Sequence, residues 1–147
     1  MCNQLLEELN QFLADLAVFY RKLQNYHWNV KGKDFYVVHE KLEEYYDKIN
    51  EEIDEIGEHI LFLGGEPLGT LKDYLEKTKI AEAKNEKITS CDIFKNIQAD
   101  VQILYDCANK IKEKSEEESS HITSSLMDNY LSNYSKILWM IKQQEEK

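Results

Sequence analysis

Apolar side chains recur every three or four residues along most of the chain, and this spacing predicts long amphipathic helices. The first apolar stripe extends from Leu5 to Val30 and ends at Lys31-Gly32-Lys33, and the second extends from Phe35 to Leu63. Asp34 is the predicted N-cap of the second helix, and Gly64-Gly65-Glu66-Pro67 ends that helix. The two stripes therefore predict two long helices joined by a tight turn.

The second half of the chain carries two further stripes of the same kind. One extends from Ile93 to Ile111, in a helix that begins near Thr89 or Ser90, and the other extends from Ile122 to Ile141. The acidic run from Glu116 to Glu118 predicts a solvated loop between them. In the long central connection, the amphipathic segment from Thr70 to about Ile80 predicts a short helix.

This order of elements is typical of one architecture. Four long helices, with short turns at the first and third joins and a long middle connection that carries its own short helix, predict an all-α, ferritin-like four-helix bundle. With 147 residues, of which 42% are hydrophobic, the chain is large enough to bury a core. We therefore expect a single domain over residues 1–147.

Charge and cysteine content exclude several classes of function. Asp and Glu number 28 against 18 Lys and Arg, and the net charge of −10 argues against binding of a polyanion such as DNA by the body of the fold. The chain has no apolar run that would span a membrane and no signal peptide within Met1–Asn10, so we expect a cytoplasmic protein. Cys2, Cys91 and Cys107 are widely spaced and odd in number, which predicts free thiols.

Two of the four histidines flank the predicted turn between the first two helices. His27 precedes Gly32 by five residues and His39 follows it by seven. On antiparallel helices joined at this turn, the two imidazoles lie at nearly the same height. Two interpretations remain open: the rings share a metal ion, or they are half-buried histidines whose hydrogen bonds are satisfied within the protein.

The second helix also carries acids at helical spacing. Glu43 follows His39 by four residues, and Asp54 and Glu58 are again four apart, so the members of each pair lie on one face. His39 and Glu58 are nineteen residues apart, which at about 1.5 Å of rise per residue is roughly 30 Å. One helix therefore cannot bring both ends to one ion.

Two copies of this helix can do so when they pack antiparallel about a twofold axis near Lys48 and Ile49. The His39 end of one copy then lies beside the Glu58 end of the other, and an isologous interface forms two equivalent sites. Each site would combine two residues of each subunit: His27 and His39 from one, and Asp54 and Glu58 from its neighbour. The alternative is that these acids are ordinary surface residues in an acidic chain.

The proposed ligand types favour a particular group of metals. A mixed imidazole and carboxylate set suits iron, zinc or manganese better than calcium or magnesium, and iron is the redox-active choice. Only Glu118-Ser119-Ser120-His121 has the Glu-x-x-His form that an intrachain di-iron centre would need, and it lies in a polar turn. Trp28, beside His27, would either lie at the edge of the site and intercept stray oxidising equivalents or belong to a subunit interface.

Three segments of the chain strongly resemble the Dps family, the DNA-binding proteins from starved cells or mini-ferritins. They are Leu23-Gln24-Asn25-Tyr26-His27-Trp28-Asn29-Val30-Lys31-Gly32, Val38-His39-Glu40-Lys41-Leu42-Glu43-Glu44-Tyr45-Tyr46 and Ile53-Asp54-Glu55-Ile56-Gly57-Glu58. The resemblance implies a homododecameric cage built from antiparallel dimers. It also implies oxidation of Fe(II), usually with hydrogen peroxide, at intersubunit ferroxidase sites, followed by storage of the ferric mineral and protection from oxidative damage.

The resemblance also assigns residues. His27 and His39 match the family's histidine ligands from one subunit, Asp54 and Glu58 match the acidic ligands from the other, and Glu43 matches a further acid near a second metal position. A single iron or a di-iron pair is implied, for which zinc can substitute.

DNA-binding members of the family often use a lysine-rich tail. The ends of this chain, Met1-Cys2-Asn3-Gln4 and Lys142-Gln143-Gln144-Glu145-Glu146-Lys147, do not supply one. We therefore do not expect DNA binding. The alternative function is a nucleoid-associated, DNA-compacting protein whose metal site is secondary or vestigial.

Overall fold

The computed structural model describes residues 3–145, and Cys2 and the last two residues of the C-terminal tail lie outside this range. Its helices are α1 (Asn3–Asn29), α2 (Phe35–Phe62), α3 (Leu71–Lys77), α4 (Ser90–Glu117) and α5 (His121–Glu145). The predicted all-α bundle, with a short helix in the long connection, is confirmed. None of the helices in the described range is both long enough and apolar enough to cross a bilayer.

The helices pack as two antiparallel hairpins. Helix α1 lies along α2, α4 lies along α5, and contacts between α1 and α4 join the two pairs. The apolar stripe of α1 is buried in the centre, as its spacing predicts, and Phe12 packs edge-to-face against Tyr130 with ring centroids 5.4 Å apart. The bundle thus holds α2 with one face on the core and the other at the surface.

The turn between α1 and α2 contains a feature that the sequence pattern did not predict. Val30–Lys31 forms a two-residue strand, β1, which pairs in parallel with β2 (Ile88–Thr89) just before α4. Gly32 follows with a φ of 125°, a conformation that side chains with a Cβ rarely adopt. Asp34 occupies the predicted N-cap position, but its side chain makes no capping hydrogen bond to α2; its carboxylate accepts a hydrogen bond from Ser90 Oγ at 2.5 Å.

Two predicted boundaries need correction. Helix α3 ends at Lys77 rather than near Ile80, because the Thr78 hydroxyl and the Lys79 amide both donate to the buried carboxylate of Asp15, at 2.8 and 2.7 Å. The acidic run was predicted to be a loop, yet its first two residues form the last turn of α4. The chain leaves that helix only at Ser119, which has a φ of 58°.

Candidate metal centre

His27 and His39 are joined by two reciprocal hydrogen bonds. His27 lies near the end of α1 and His39 in the second turn of α2. The Nδ1 atom of each ring lies 2.7 Å from the main-chain carbonyl oxygen of the other residue. The rings stack with centroids 3.7 Å apart and planes inclined by 13°. The predicted proximity of the two imidazoles is therefore confirmed.

These bonds place a hydrogen on one nitrogen of each ring. A carbonyl oxygen can only accept, so each Nδ1 carries the hydrogen, and in the neutral imidazole Nε2 then holds the lone pair. A histidine that binds a metal usually donates its other ring N–H to a carbonyl or carboxylate, which sets the tautomer and the direction of the ring. The hydrogen bonds of the two Nδ1 atoms are thus satisfied within the protein, and binding of a metal by the Nε2 atoms stays a prediction.

Two aromatic residues that the sequence pattern did not single out surround the imidazoles. Phe35 stacks on the outer face of His39, with centroids 4.9 Å apart and planes at 21°, and Tyr46 meets the His27 ring edge-on at 5.3 Å. Their spacing contained the signal, since Phe35 precedes His39 by four residues and Tyr46 follows it by seven on the same helix. Phe35 and Tyr46 therefore pack directly against the two candidate ligands.

Glu43 is the carboxylate nearest to this pair among the predicted ligands. Its Oε1 atom lies 3.8 Å from His27 Nε2, and more than half of its side chain is exposed. That distance is too long for a hydrogen bond. The Glu43 carboxylate therefore lies beside His27 Nε2, at the outer surface of α2, without a direct bond to it.

Asp54 and Glu58 lie far along α2, both exposed, and the fold does not bring them to the histidines. In residues 3–145, no three His, Cys, Asp or Glu side chains lie close enough together to hold a metal ion. One chain therefore presents two nitrogens with a nearby carboxylate at one end of α2, and two further carboxylates at the other end.

The opposite face of α2 is bound to α5 by three hydrogen-bonded pairs, which we call the α2–α5 ladder. The Tyr134 hydroxyl donates to Glu52 at 2.7 Å, the Tyr130 hydroxyl donates to Glu55, and His59 Nε2 shares a hydrogen bond of 2.8 Å with Thr123. Burial raises the pKa of Glu52 to about 7 and lowers the pKa of His59. The tyrosines are buried, as their stripe predicts, but the ladder was not predicted.

Trp28 lies next to His27 in sequence but points away from the core, with 58% of its surface exposed. It lines a groove of about 630 Å³ with Ile53 of α2 and with Leu71 and Leu75 of α3. Three of these four apolar side chains are at least half exposed. The groove therefore forms an apolar surface directly beside α2.

Neither of the two described cysteines belongs to a cluster of side chains that could hold a metal ion. Cys91 is exposed at the start of α4, whereas Cys107 is buried in the bundle, and both are free thiols as predicted. Burial and the nearby acids Asp15 and Glu8 raise the pKa of Cys107 to about 12.

Comparison with known proteins shows which family this chain resembles. The family model described as ferritin-like domain matches residues 6–147. DNA protection during starvation protein 2 of Bacillus anthracis is 37% identical over 142 residues, which cover 97% of this chain and 97% of that protein. The DNA protection during starvation protein of Helicobacter pylori strain J99 is 35% identical over 136 residues, which cover 92% of this chain and 94% of that protein.

Solved structures of similar proteins have the same fold. The antigen TpF1 of Treponema pallidum superposes with a TM-score of 0.96 at 32% identity, covering 99% of this chain and 93% of that one. A Vibrio cholerae O1 Dps protein, described as a member of a broad superfamily of ferritin-like diiron-carboxylate proteins, superposes with a TM-score of 0.95 at 32% identity, covering 98% of this chain and 90% of that one.

The bundle and its matches define a ferritin-like protein. Within that class the chain belongs to the Dps family, and the resemblance carried by its His-Trp segment is confirmed.

Proposed function

We propose that this protein is an iron-storage and detoxification mini-ferritin with ferroxidase activity. It binds Fe(II) between two subunits, oxidises it with hydrogen peroxide or dioxygen, and stores the ferric product in a dodecameric cage. The observation that carries the proposal is the reciprocal bonding of His27 and His39, which would leave the Nε2 lone pairs of both rings free to bind a metal ion. Membership of the Dps family supports it.

In the proposed site, the two histidines of one subunit bind iron through Nε2, and Asp54 and Glu58 of the partner subunit supply oxygen ligands. Glu43 stands beside His27 and serves a second metal position. Carboxylates favour the product, because their negative charge stabilises the additional positive charge of Fe(III). Zinc accepts the same nitrogen and oxygen ligands but has no redox chemistry, so it would occupy the site and inhibit.

The electron balance accounts for the removal of peroxide together with iron. Two ferrous ions give up one electron each, and one hydrogen peroxide molecule takes both electrons and two protons and leaves as two water molecules. The role of the protein is to hold iron in reach of the oxidant, with ligands of both chemical types. Iron and peroxide are therefore both substrates of the proposed reaction.

The apolar groove beside α2 supports the antiparallel dimer on which this site depends. Trp28, Leu71 and Leu75 are exposed there, next to Ile53. A contact of α2 with its twofold-related copy would cover this region and bring each histidine pair to the carboxylates of the other subunit. The dimer is then the smallest active unit, and further association of dimers would form the cage.

Direct DNA binding is the less favoured function, although several relatives carry DNA protection in their names. The net charge of −10 on each chain opposes contact with phosphates. We propose instead that the protein acts in the cytoplasm by consuming iron and peroxide before they damage DNA.

Complementation between two inactive variants tests the proposal. His27→Ala removes a nitrogen ligand and Glu58→Ala an oxygen ligand, and each alone should slow ferrous oxidation sharply without unfolding the bundle. A mixed dimer contains one site with both defects and one with neither. After subunit exchange, activity should return in up to about half of the sites of mixed dimers.

A matched pair controls for nonspecific effects of mixing. His27→Ala mixed with His39→Ala should recover no activity, because both defects lie on the same half of the site. If subunits exchange and the His27→Ala and Glu58→Ala mixture stays inactive, the ligands do not come from two chains and the proposal is wrong.

A further inference from the structure

Helix α2 separates its functional residues into two faces. Asp54 and Glu58, the proposed carboxylate ligands, are exposed on the outer face. Glu52, Glu55 and His59 alternate with them along the same two turns, and all three bond to α5 through the α2–α5 ladder. The segment of α2 that carries the proposed ligands is therefore the segment that α5 holds.

Five of the six ladder residues are buried, and Glu55 is the exposed one. Exposure is 3% for Glu52, 1% for Tyr134 and 0% for Thr123. Apolar residues of similar volume would stabilise such an interface at least as well. Stability alone therefore does not explain why polar side chains are buried in the ladder. Hydrogen bonds, unlike apolar contacts, are directional, and three of them in succession define one rotation and one height of α2 against α5.

The rotation of α2 matters because each residue of a helix turns the side-chain direction by about 100°. A small rotation or slip of α2 on α5 would move both exposed carboxylates sideways together. Such a movement takes them out of reach of an ion bound by imidazoles of another subunit. Main-chain hydrogen bonds within α2 do not resist it, since the helix would move as a rigid body.

We propose that Thr123, Tyr130 and Tyr134 are positioning residues of the metal centre. Acting through His59, Glu55 and Glu52, they fix the rotation of α2 and hence the direction in which Asp54 and Glu58 leave the bundle. This inference rests on the proposed function, and it adds that half of the site is aligned by a helix that contributes no ligand. Residues that hydrogen-bond directly to metal ligands typically change metal affinity or activity by roughly 10-fold to 100-fold when they are removed, and the ladder, which acts through neighbouring residues of α2, should give an effect at the lower end of this range.

The test uses Tyr130→Phe and Tyr134→Phe, singly and together, in the assembled protein. Each substitution removes one oxygen atom and keeps the ring that packs in the core. The probe is Co(II), whose visible absorption reports ligand geometry, together with its affinity and with kcat and KM for ferrous oxidation. We expect the double variant to bind Co(II) about 10-fold or more weakly, with a changed spectrum, and to lose kcat.

A core variant separates alignment from stability. Ile111→Val removes one buried methylene group from α4, where no ladder residue lies, and should lower the thermal midpoint without changing Co(II) affinity or spectrum. The proposal is overturned if the double tyrosine variant binds Co(II) within twofold of wild type, or if Ile111→Val weakens binding equally. Failure of wild type itself to bind Co(II) or oxidise iron would instead refute the proposed function.

Discussion

His27 and His39 each donate an Nδ1 hydrogen to the other's main-chain carbonyl oxygen, at 2.7 Å in both directions. Each of these two bonds joins the side chain of one helix to the main chain of the other, and together they link the end of α1 to the start of α2. The same two bonds have a structural and a chemical effect, because they hold the turn together and leave both Nε2 atoms as acceptors.

The structural effect predicts a loss of stability that does not depend on metal. His39→Ala removes the donor to the His27 carbonyl and the stacking partner of the His27 ring. We expect the free energy of unfolding of the metal-free protein to fall by about 1–3 kcal/mol in urea denaturation. His121→Ala, at an exposed histidine on α5, is the control and should change it by less than about 0.5 kcal/mol.

Trp28 provides a test of the association surface. Trp28→Ala removes a large exposed apolar side chain from the groove beside α2, so dimers should dissociate at higher protein concentration in sedimentation experiments. Trp28→Phe retains an aromatic ring and should have a smaller effect. A Trp28→Ala variant that associates normally and is no more damaged during iron oxidation would remove Trp28 from the functional residues.

The two described cysteines should differ in reactivity toward a thiol reagent. With a pKa raised to about 12 by burial, Cys107 remains a thiol at pH 8, where a group of that pKa is ionised in roughly one molecule in ten thousand. Cys91 is exposed. In a Cys2→Ser, Cys91→Ser variant we expect labelling only after denaturation, and rapid labelling of the native protein would contradict the buried position of Cys107.

Glu52 should make stability depend on pH. Burial raises its pKa from 4.5 to about 7, so the folded state holds this proton more tightly than the unfolded chain does. The free energy of unfolding should then fall as the pH rises from 4.5 to 7, by an amount on the order of 3 kcal/mol. Glu52→Gln should flatten this fall in the metal-free protein, whereas Glu51→Gln, at an exposed position, should not.

Charge leads to an expectation about nucleic acid. At low salt and without divalent cations, the assembled protein should not retard duplex DNA in a gel, because each chain has a net charge of −10. A tight complex under these conditions would favour the alternative in which the protein compacts DNA and its metal site is secondary.

The sequence predicted the helices well because burial of one face imposes a spacing of three and four residues, from Leu5 onward, that can be counted directly. The sequence pattern placed Asp34 at the start of α2 but did not predict which residue bonds to its carboxylate. Ser90 reaches that carboxylate only after the long connection has folded back. A contact of this kind depends on the path of many residues, and no local pattern encodes it.

The same distinction applies to the metal centre. The closeness of His27 and His39 follows from their similar distances to a tight turn. The reciprocal bonds follow from rotamers and main-chain positions, and the Glu52–Tyr134 bond follows from the alignment of α2 with α5. The meeting of the histidines with Asp54 and Glu58 involves a second chain and stays a prediction.

The short pairing of Val30–Lys31 with Ile88–Thr89 has a consequence for the order of folding. Each helical hairpin forms from contacts between chain neighbours, whereas this parallel pairing closes a long loop and carries a larger entropic cost. We therefore expect the central connection, with α3 and its side of the Trp28 groove, to become ordered after the hairpins. The apolar groove beside α2 would then be completed last. This order limits premature aggregation while the core is still forming.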